Sequence, residues 1–135
     1  MPTPPSWTVE RLDEARAIVE TEAAAGFELV CKPLFGAQGK GLRRLRDANG
    51  LPNAEESAGV WYLQRYVPPE GGDRDFRVFV IDGEPVAAMA RCGVSWITNV
   101  HQGGRPEPVS PEGVLGVLAV AAAPAAAAEK GTAHV

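Results

Sequence analysis

Residues 30–45, "VCKPLFGAQGKGLRRL", set a lysine, Lys32, near the end of an apolar run and follow it with three glycines and a second lysine. Glycine-bearing loops let backbone N–H groups approach an anion closely, and a neighbouring ammonium adds a full positive charge. Phosphate binding is the chemistry this stretch offers. Two familiar phosphate loops are excluded. A Walker A loop continues Gly-Lys-Ser/Thr, whereas Gly41 is followed by Leu42 and Arg43. The dinucleotide fingerprint fails because Gly36, Gly39 and Gly41 have the wrong spacing and no helical pattern follows. What is left is a strand–loop–strand. In a strand Lys32 points opposite to Cys31 and Pro33, so a core-facing Cys31 would turn Lys32 towards a cleft. A β-hairpin with an ordinary flexible loop fits the same residues.

Three further stretches bear on that choice. Residues 62–72, "YLQRYVPPEGG", read as a strand end whose backbone N–H and C=O groups can pair with an adenine edge, flanked by apolar side chains. They also fit a strand entering a proline-bounded loop. Residues 74–91, "RDFRVFVIDGEPVAAMAR", carry Arg74, Arg77 and Arg91, whose guanidinium forks suit phosphate. Asp75 and Arg77 share a strand face, so a salt bridge on a sheet is the alternative. Residues 96–104, "WITNVHQGG", place Asn99 and His101 on one face if extended. No local Cys or carboxylate supports His101 as part of a triad or metal site.

The elements that must hold these residues follow from periodicity. Residues 8–25 read as a helix, with Thr8 as N-cap candidate, Leu12, Ala15, Ile18, Val19 and Glu22 on one stripe, and Gly26 as the stop. Strands are expected over residues 27–33, 42–45 and 60–67, with turn and loop material between residues 47 and 57. Residues 75–81 and 84–92 form a hairpin about Asp82-Gly83. Residues 94–100 are a short strand or extended loop, and "HQGGRPEPVSPEG" is irregular. A helix starting at Val114 should break at Pro124, leaving residues 111–135 as a poorly ordered alanine-rich tail. The fold class is α+β, antiparallel strands with a flanking helix.

The 135 residues have room for one domain or a piece of a larger one. A net charge of −4 argues against bulk electrostatic binding of nucleic acid or an anionic membrane. The basic cluster Arg43, Arg44, Arg46 is local and is followed by Asp47, as on a solvated strand face. Cys31 and Cys92 lie far apart in apolar runs, which suits small core residues in a reducing compartment and does not suit zinc. The start "MPTPPSW" is not a signal peptide and no segment is apolar enough for a membrane span, so the cytoplasm is expected.

Taken in order, "VCKPLFGAQGKGL", "YLQRYV", "RDFRVFVIDGEPVAAMAR" and "TNVHQGG" resemble the ATP-grasp superfamily, and within it the RimK-like carboxylate–amine ligases. The resemblance covers about residues 27–104 and implies an ATP-grasp-like fold, incomplete here, with residues 1–110 a partial ATP-grasp domain. It implies a nucleotide held between two α+β lobes, an acyl phosphate made from a carboxylate and ATP, and an amine that attacks it to give an amide. Lys32 matches the phosphate-contacting strand lysine, and Gln38, Gly39 and Gly41 match the loop closing over the phosphates. Gln64, Arg65, Tyr66 and Val67 match the segment that hydrogen-bonds adenine. Asp75 and Arg77 match the "RD-x-R" strand near ribose and phosphates, and Arg91 and Asn99 match positions facing the transferred phosphoryl group. The implied partners are ATP, Mg2+, and small-molecule or peptide carboxylates and amines. A looser resemblance, through "WITNVH", is to ATP-grasp proteins linked with tetrahydromethanopterin-dependent one-carbon metabolism.

The departures are specific. Arg65 stands where close relatives have an acidic residue, and Gln102 makes "HQGG" of the usual "HRGG". The family's metal site, an Asp-bearing strand and a Glu-x-Asn strand, has no match after Gly104, where Glu107, Glu112 and Glu129 lie in no apolar strand pattern. No residue of the sequence is therefore expected to be a metal ligand. A truncated or frame-disrupted ligase is the resulting expectation, weak or inactive alone and open to self-association through exposed sheet edges. A non-enzymatic nucleotide-binding remnant or an interaction module stays open beside it.

Overall fold

The computed structural model describes residues 3–36 and 38–129. The chain divides into two compact units, Pro2–Pro68 and Pro69–Val135. The first contains β1 (Ser6–Val9), α1 (Leu12–Ala24), β2 (Leu29–Lys32), β3 (Arg43–Leu45) and β4 (Trp61–Arg65). Its sheet runs β1-β4-β2-β3 with every neighbouring pair antiparallel. The second contains β5 (Arg74–Ile81), β6 (Glu84–Cys92), β7 (Arg105–Val109) and α2 (Val114–Glu129), with an antiparallel sheet in the order β5-β6-β7. The α+β class expected from the sequence is the class observed.

In the first unit, strand alternation builds the core. Leu29 and Cys31 of β2, Trp61 and Leu63 of β4, and Leu45 of β3 pack with Ala15 and Val19 of α1. Leu63 and Leu29 are fully buried. Burial also pushes the Cys31 thiol up to about 11. The Trp61 indole donates to the Pro52 carbonyl at 2.9 Å, so the largest core side chain satisfies its one polar atom.

Helix α1 stops where its glycine permits. Gly26 has φ +84, its N–H donates to the Ala23 carbonyl at 3.0 Å, and the Phe27 N–H donates to the Glu22 carbonyl at 2.9 Å. That pair of bonds is a Schellman closure, which needs a left-handed residue at Gly26. At the other end the helix starts after Arg11, three residues later than the Thr8 cap expected from sequence, because Thr8 is taken into β1 opposite Tyr62. Asp13 and Glu14 in the first turn complement the helix dipole instead of a side-chain cap.

The second unit is a sheet with one helix on it. Phe76, Val78 and Val80 of β5 and Leu115, Leu118, Ala119, Ala122 and Ala123 of α2 line an open cavity of about 400 Å³. Asp82 and Gly83 both have positive φ, at 50° and 81°, as the expected tight turn between β5 and β6 requires. The segment read as irregular contains β7, an edge strand with prolines at 106 and 108, positions where an outward-facing N–H is not needed.

Two sequence expectations are corrected by α2. The helix does not break at Pro124, and most of the expected irregular tail is helical; residues 130–135 lie outside the described residues. Proline at an interior position removes the donor for the Val120 carbonyl, at a cost of about 3 kcal/mol. The alanines at 121–123 and 125–128 offset this with the highest helix propensity of any residue. No helix among the described residues is long and apolar enough to cross a membrane.

Two stability outcomes follow from this packing. Leu63→Ala should destabilise the first unit by about 2–5 kcal/mol, read as a lower urea midpoint in tryptophan fluorescence. Pro124→Ala should increase amide-exchange protection across residues 118–124, by restoring the missing backbone bond.

Candidate nucleotide site

Across β2 and β4 the antiparallel register pairs Cys31 with Leu63, Val30 with Gln64 and Lys32 with Tyr62. Directly opposed residues share a face, so Lys32, Tyr62 and Gln64 project together from the face opposite the Cys31–Leu63 core. The Lys32 ammonium donates to Gln64 Oε1 and lies 5.7 Å from the Tyr62 ring centroid. A lysine held by a neutral acceptor and a ring face keeps its whole charge available to an anion. Tyr62 is a member of this group that the sequence reading did not single out; its signal is the two-residue spacing from Gln64 on a strand.

After Lys32 the chain enters the glycine loop. Gln38 and Gly39 have φ 60° and 76°, the signs of a primed hairpin turn, and Gly41 has φ 74°. Gln38 is the position where this conformation strains a side chain. The base of the loop is tight. A Cβ on Gly36 would sit 2.5 Å from Pro33 Cγ, so this glycine is required by the close approach of its backbone to the Pro33 ring. Phe35 beside it is 89% exposed.

The segment after β4 is only partly open for pairing. The Arg65 N–H donates to the Pro5 carbonyl at 2.9 Å and the Tyr66 N–H to the Glu28 carbonyl at 2.8 Å. Val67 is exposed and is the last residue with a backbone N–H before Pro68 and Pro69. The Arg65 side chain lies on the core face, opposite Leu29 in register. It bridges Glu22 of α1 at 2.7 Å and stacks on the Phe27 ring at 3.6 Å, the two residues that the Schellman closure brings together. Arg65 is thus held by α1 and the residues that close it. Arg44 stacks on Tyr66 at 3.9 Å and pairs with Glu28, while Arg46 pairs with Glu28 at 3.1 Å and Arg43 with Glu56. The basic cluster is a set of ion pairs.

In the second unit Asp75 and Arg91 face each other across β5 and β6. Arg91 Nε donates to Asp75 Oδ1 at 2.7 Å and Arg91 Nη2 donates to Asp75 Oδ2. The Thr98 hydroxyl donates to the same Oδ2 at 2.7 Å. Burial works to raise the Asp75 carboxyl, but the bonds from Arg91 and Thr98, with the charges of Arg91 and Arg77, hold it below its ordinary value. The Asp75 bond in turn raises Arg91 above its ordinary value against desolvation. Arg91 is 9% exposed, and no buried side-chain nitrogen or oxygen among the described residues lacks a partner. Its Nη1, which makes no such bond, therefore keeps contact with solvent.

Arg77 is exposed on the same strand face as Asp75. Asn99 is half-buried, and its carbonyl accepts from Gln102 N–H at 2.8 Å and Gly104 N–H at 3.1 Å at the start of a short 3-10 turn, Val100–Gln102. Residues 94–99 form a loop, the second of the two conformations expected there. His101 is exposed. Thr98 joins this group through its bond to Asp75, and a hydroxyl adjoining Asn99 is the one signal for it in the sequence.

A match to the RimK-like ATP-grasp domain spans residues 1–131. The chain belongs to the RimK-like ATP-grasp family. Similar proteins include the tetrahydromethanopterin:alpha-L-glutamate ligases of Methanococcus maripaludis, 40% identical over 74% of this chain and 36% of that protein, and of Methanocaldococcus jannaschii, 34% identical over 79% and 38%. The glutathione synthetase of Agrobacterium fabrum is 33% identical over 60% of this chain and 28% of that protein. Among solved structures, the ATP-grasp ligase PsnB complexed with minimal precursor, Mg and ADP shares the fold at TM-score 0.60 and 22% identity, over 92% of this chain and 36% of PsnB. This RimK-like chain spans a little over a third of the length of the first curated relatives it matches. Magnesium is the metal the family implies. Among the described residues no three His, Cys, Asp or Glu side chains gather to hold an ion.

The Asp75–Arg91 pair sets a pH limit. A carboxyl held below its ordinary value of 3.8 stabilises the fold fully above that value, and the contribution is lost as pH falls through the folded pKa. Arg91→Met should remove the opposing bond and charge, leaving burial to raise Asp75, so a carbon-detected NMR titration should show its midpoint moving upward.

Proposed function

We propose that this chain holds ATP as part of an ATP-dependent carboxylate–amine ligase. The observation that carries the reading is the Lys32–Gln64–Tyr62 group on one face of β2 and β4, with left-handed backbone at Gln38, Gly39 and Gly41 in the loop that leaves β2. In this reading Lys32 and the N–H groups around Gln38, Gly39 and Gly41 meet phosphate oxygens. The adenine edge is met by the segment from Gln64 to Val67, through the Val67 N–H and the carbonyls of its neighbours, since the N–H groups of Arg65 and Tyr66 are already engaged. For the second unit taken by itself, the reading keeps the roles the resemblance implies, Asp75 and Arg77 near ribose and phosphates and Arg91 and Asn99 facing the transferred phosphoryl group, where positive charge would stabilise the transfer.

The proposed reaction has two steps. A carboxylate oxygen attacks the γ-phosphorus as the bond to the bridging oxygen breaks, giving an acyl phosphate and ADP. A neutral amine then attacks the acyl carbon, the C–N bond forms, phosphate leaves with the C–O electron pair, and the nitrogen loses a proton to solvent. The names of the relatives point to an amino acid, L-glutamate first, as the amine. Residues 1–110 as a partial ATP-grasp domain, a cytoplasmic setting and magnesium as ATP's companion ion belong to the same proposal. Pairing of copies through sheet edges falls to β5 in the second unit, because Pro106 and Pro108 remove donors from β7. The second reading is a nucleotide-binding module without turnover of its own.

Calorimetry with ATP and magnesium tests the reading. Lys32→Ala should weaken binding about tenfold to a hundredfold, the worth of one charged hydrogen bond. No heat from the unaltered chain would sink it. Release of ADP on adding L-glutamate and candidate carboxylates separates the ligase from the binding module.

A further inference from the structure

We propose that Thr98 is a positioning residue, which aims Arg91 by holding the Asp75 carboxylate and ties that carboxylate to the loop carrying Asn99. Arg91 has five N–H donors, and its Nε and Nη2 are committed to Asp75. The direction of the remaining amino group is then set by the plane of the Asp75 carboxylate. Two donors on two different elements fix that plane, the guanidinium from β6 and the Thr98 hydroxyl from residues 94–99. With Arg91 alone, the carboxylate and guanidinium could turn together about the side-chain torsions of Asp75. A third bond, from a separate element, removes that freedom.

Thr98 is itself held from both sides. A Cβ on Gly104 would lie 2.1 Å from the Thr98 carbonyl oxygen, and one on Gly93 would lie 2.5 Å from the Ser95 carbonyl oxygen. Both ends of the loop therefore pass against backbone at glycine-only distance. The Gly93 N–H also donates to the Asp73 carbonyl at 2.8 Å, tying the loop's start to the residue before β5. Thr98 sits where this clamped loop touches the sheet, and Asn99 is the next residue. The hydroxyl thereby transmits the loop's position to Arg91.

The charged groups acting on Asp75 are Arg91 on β6 and Arg77 on its own strand. Neither changes in a Thr98 variant, so a shift in Asp75 reports the hydroxyl. Thr98→Val keeps the branched shape and removes the donor; Thr98→Ser keeps the donor. In the full chain without ligand, Thr98→Val should raise the Asp75 midpoint and speed exchange of the Arg91 Nε–H several-fold by NMR, and Thr98→Ser should restore both. With ATP, and resting on the ligase reading, Thr98→Val should weaken binding about tenfold, with Ser again restoring it. Asp75 and Arg91 signals in Thr98→Val that match the unaltered chain would overturn the proposal, as would a Ser variant that behaves like Val. If the unaltered chain binds no ATP, the ligase reading fails alone and the ligand-free signals still decide the role of Thr98.

Discussion

The antiparallel register of β2 against β4 is the constraint on which the candidate site depends. It pairs Cys31 with Leu63 and Lys32 with Tyr62. Because successive residues of a strand face opposite ways, the same alternation that buries Leu29, Cys31 and Leu63 under α1 must place Lys32 and Gln64 on the other face. A slip of one residue would exchange the two sets, burying an ammonium and exposing the core. Burial of apolar surface and presentation of the lysine are therefore one event. No separate device is needed to aim Lys32.

Around that register the charged side chains divide into two kinds. Arg43, Arg44, Arg46 and Arg65 are consumed by Glu56, Glu28 and Glu22, and two of them also stack on Tyr66 and Phe27. They fasten β3 and β4 to neighbouring segments. Lys32 and Arg91 are steadied differently: Lys32 by a neutral amide, and Arg91 by two contacts from a single carboxylate across the hairpin.

Much of this was legible in the sequence, and what was not has physical causes. The stripe of α1, its stop at Gly26, the orientation of Lys32 and the Asp82-Gly83 hairpin each follow from local spacing, so each could be read. Strand β1 could not, since Ser6–Val9 has too few residues to show a period and forms by pairing with β4, far along the chain. Strand β7 was masked by two prolines that an edge position tolerates. Pro124 stays helical because its alanine neighbours outweigh it, a balance that residue-by-residue rules miss. In the site, Arg65 was legible as a departure from its family; its destination on Glu22 and Phe27 was not, because the Schellman closure that assembles them is a property of the fold. Thr98 was invisible for the same reason, since its partner Asp75 lies 23 positions away.

The unequal burial of the two thiols has a practical side. Cys31 lies sealed in the first unit, where its raised pKa leaves almost no thiolate at neutral pH, the form that alkylating reagents require. Cys92 is half-buried at the end of β6, one residue past Arg91, and carries no disulfide. Of the two, Cys92 is the one a maleimide dye can modify in the folded protein. The chain thus arrives with a native attachment point for a single fluorophore, at the end of β6 on the sheet face opposite the Asp75–Arg91 pair.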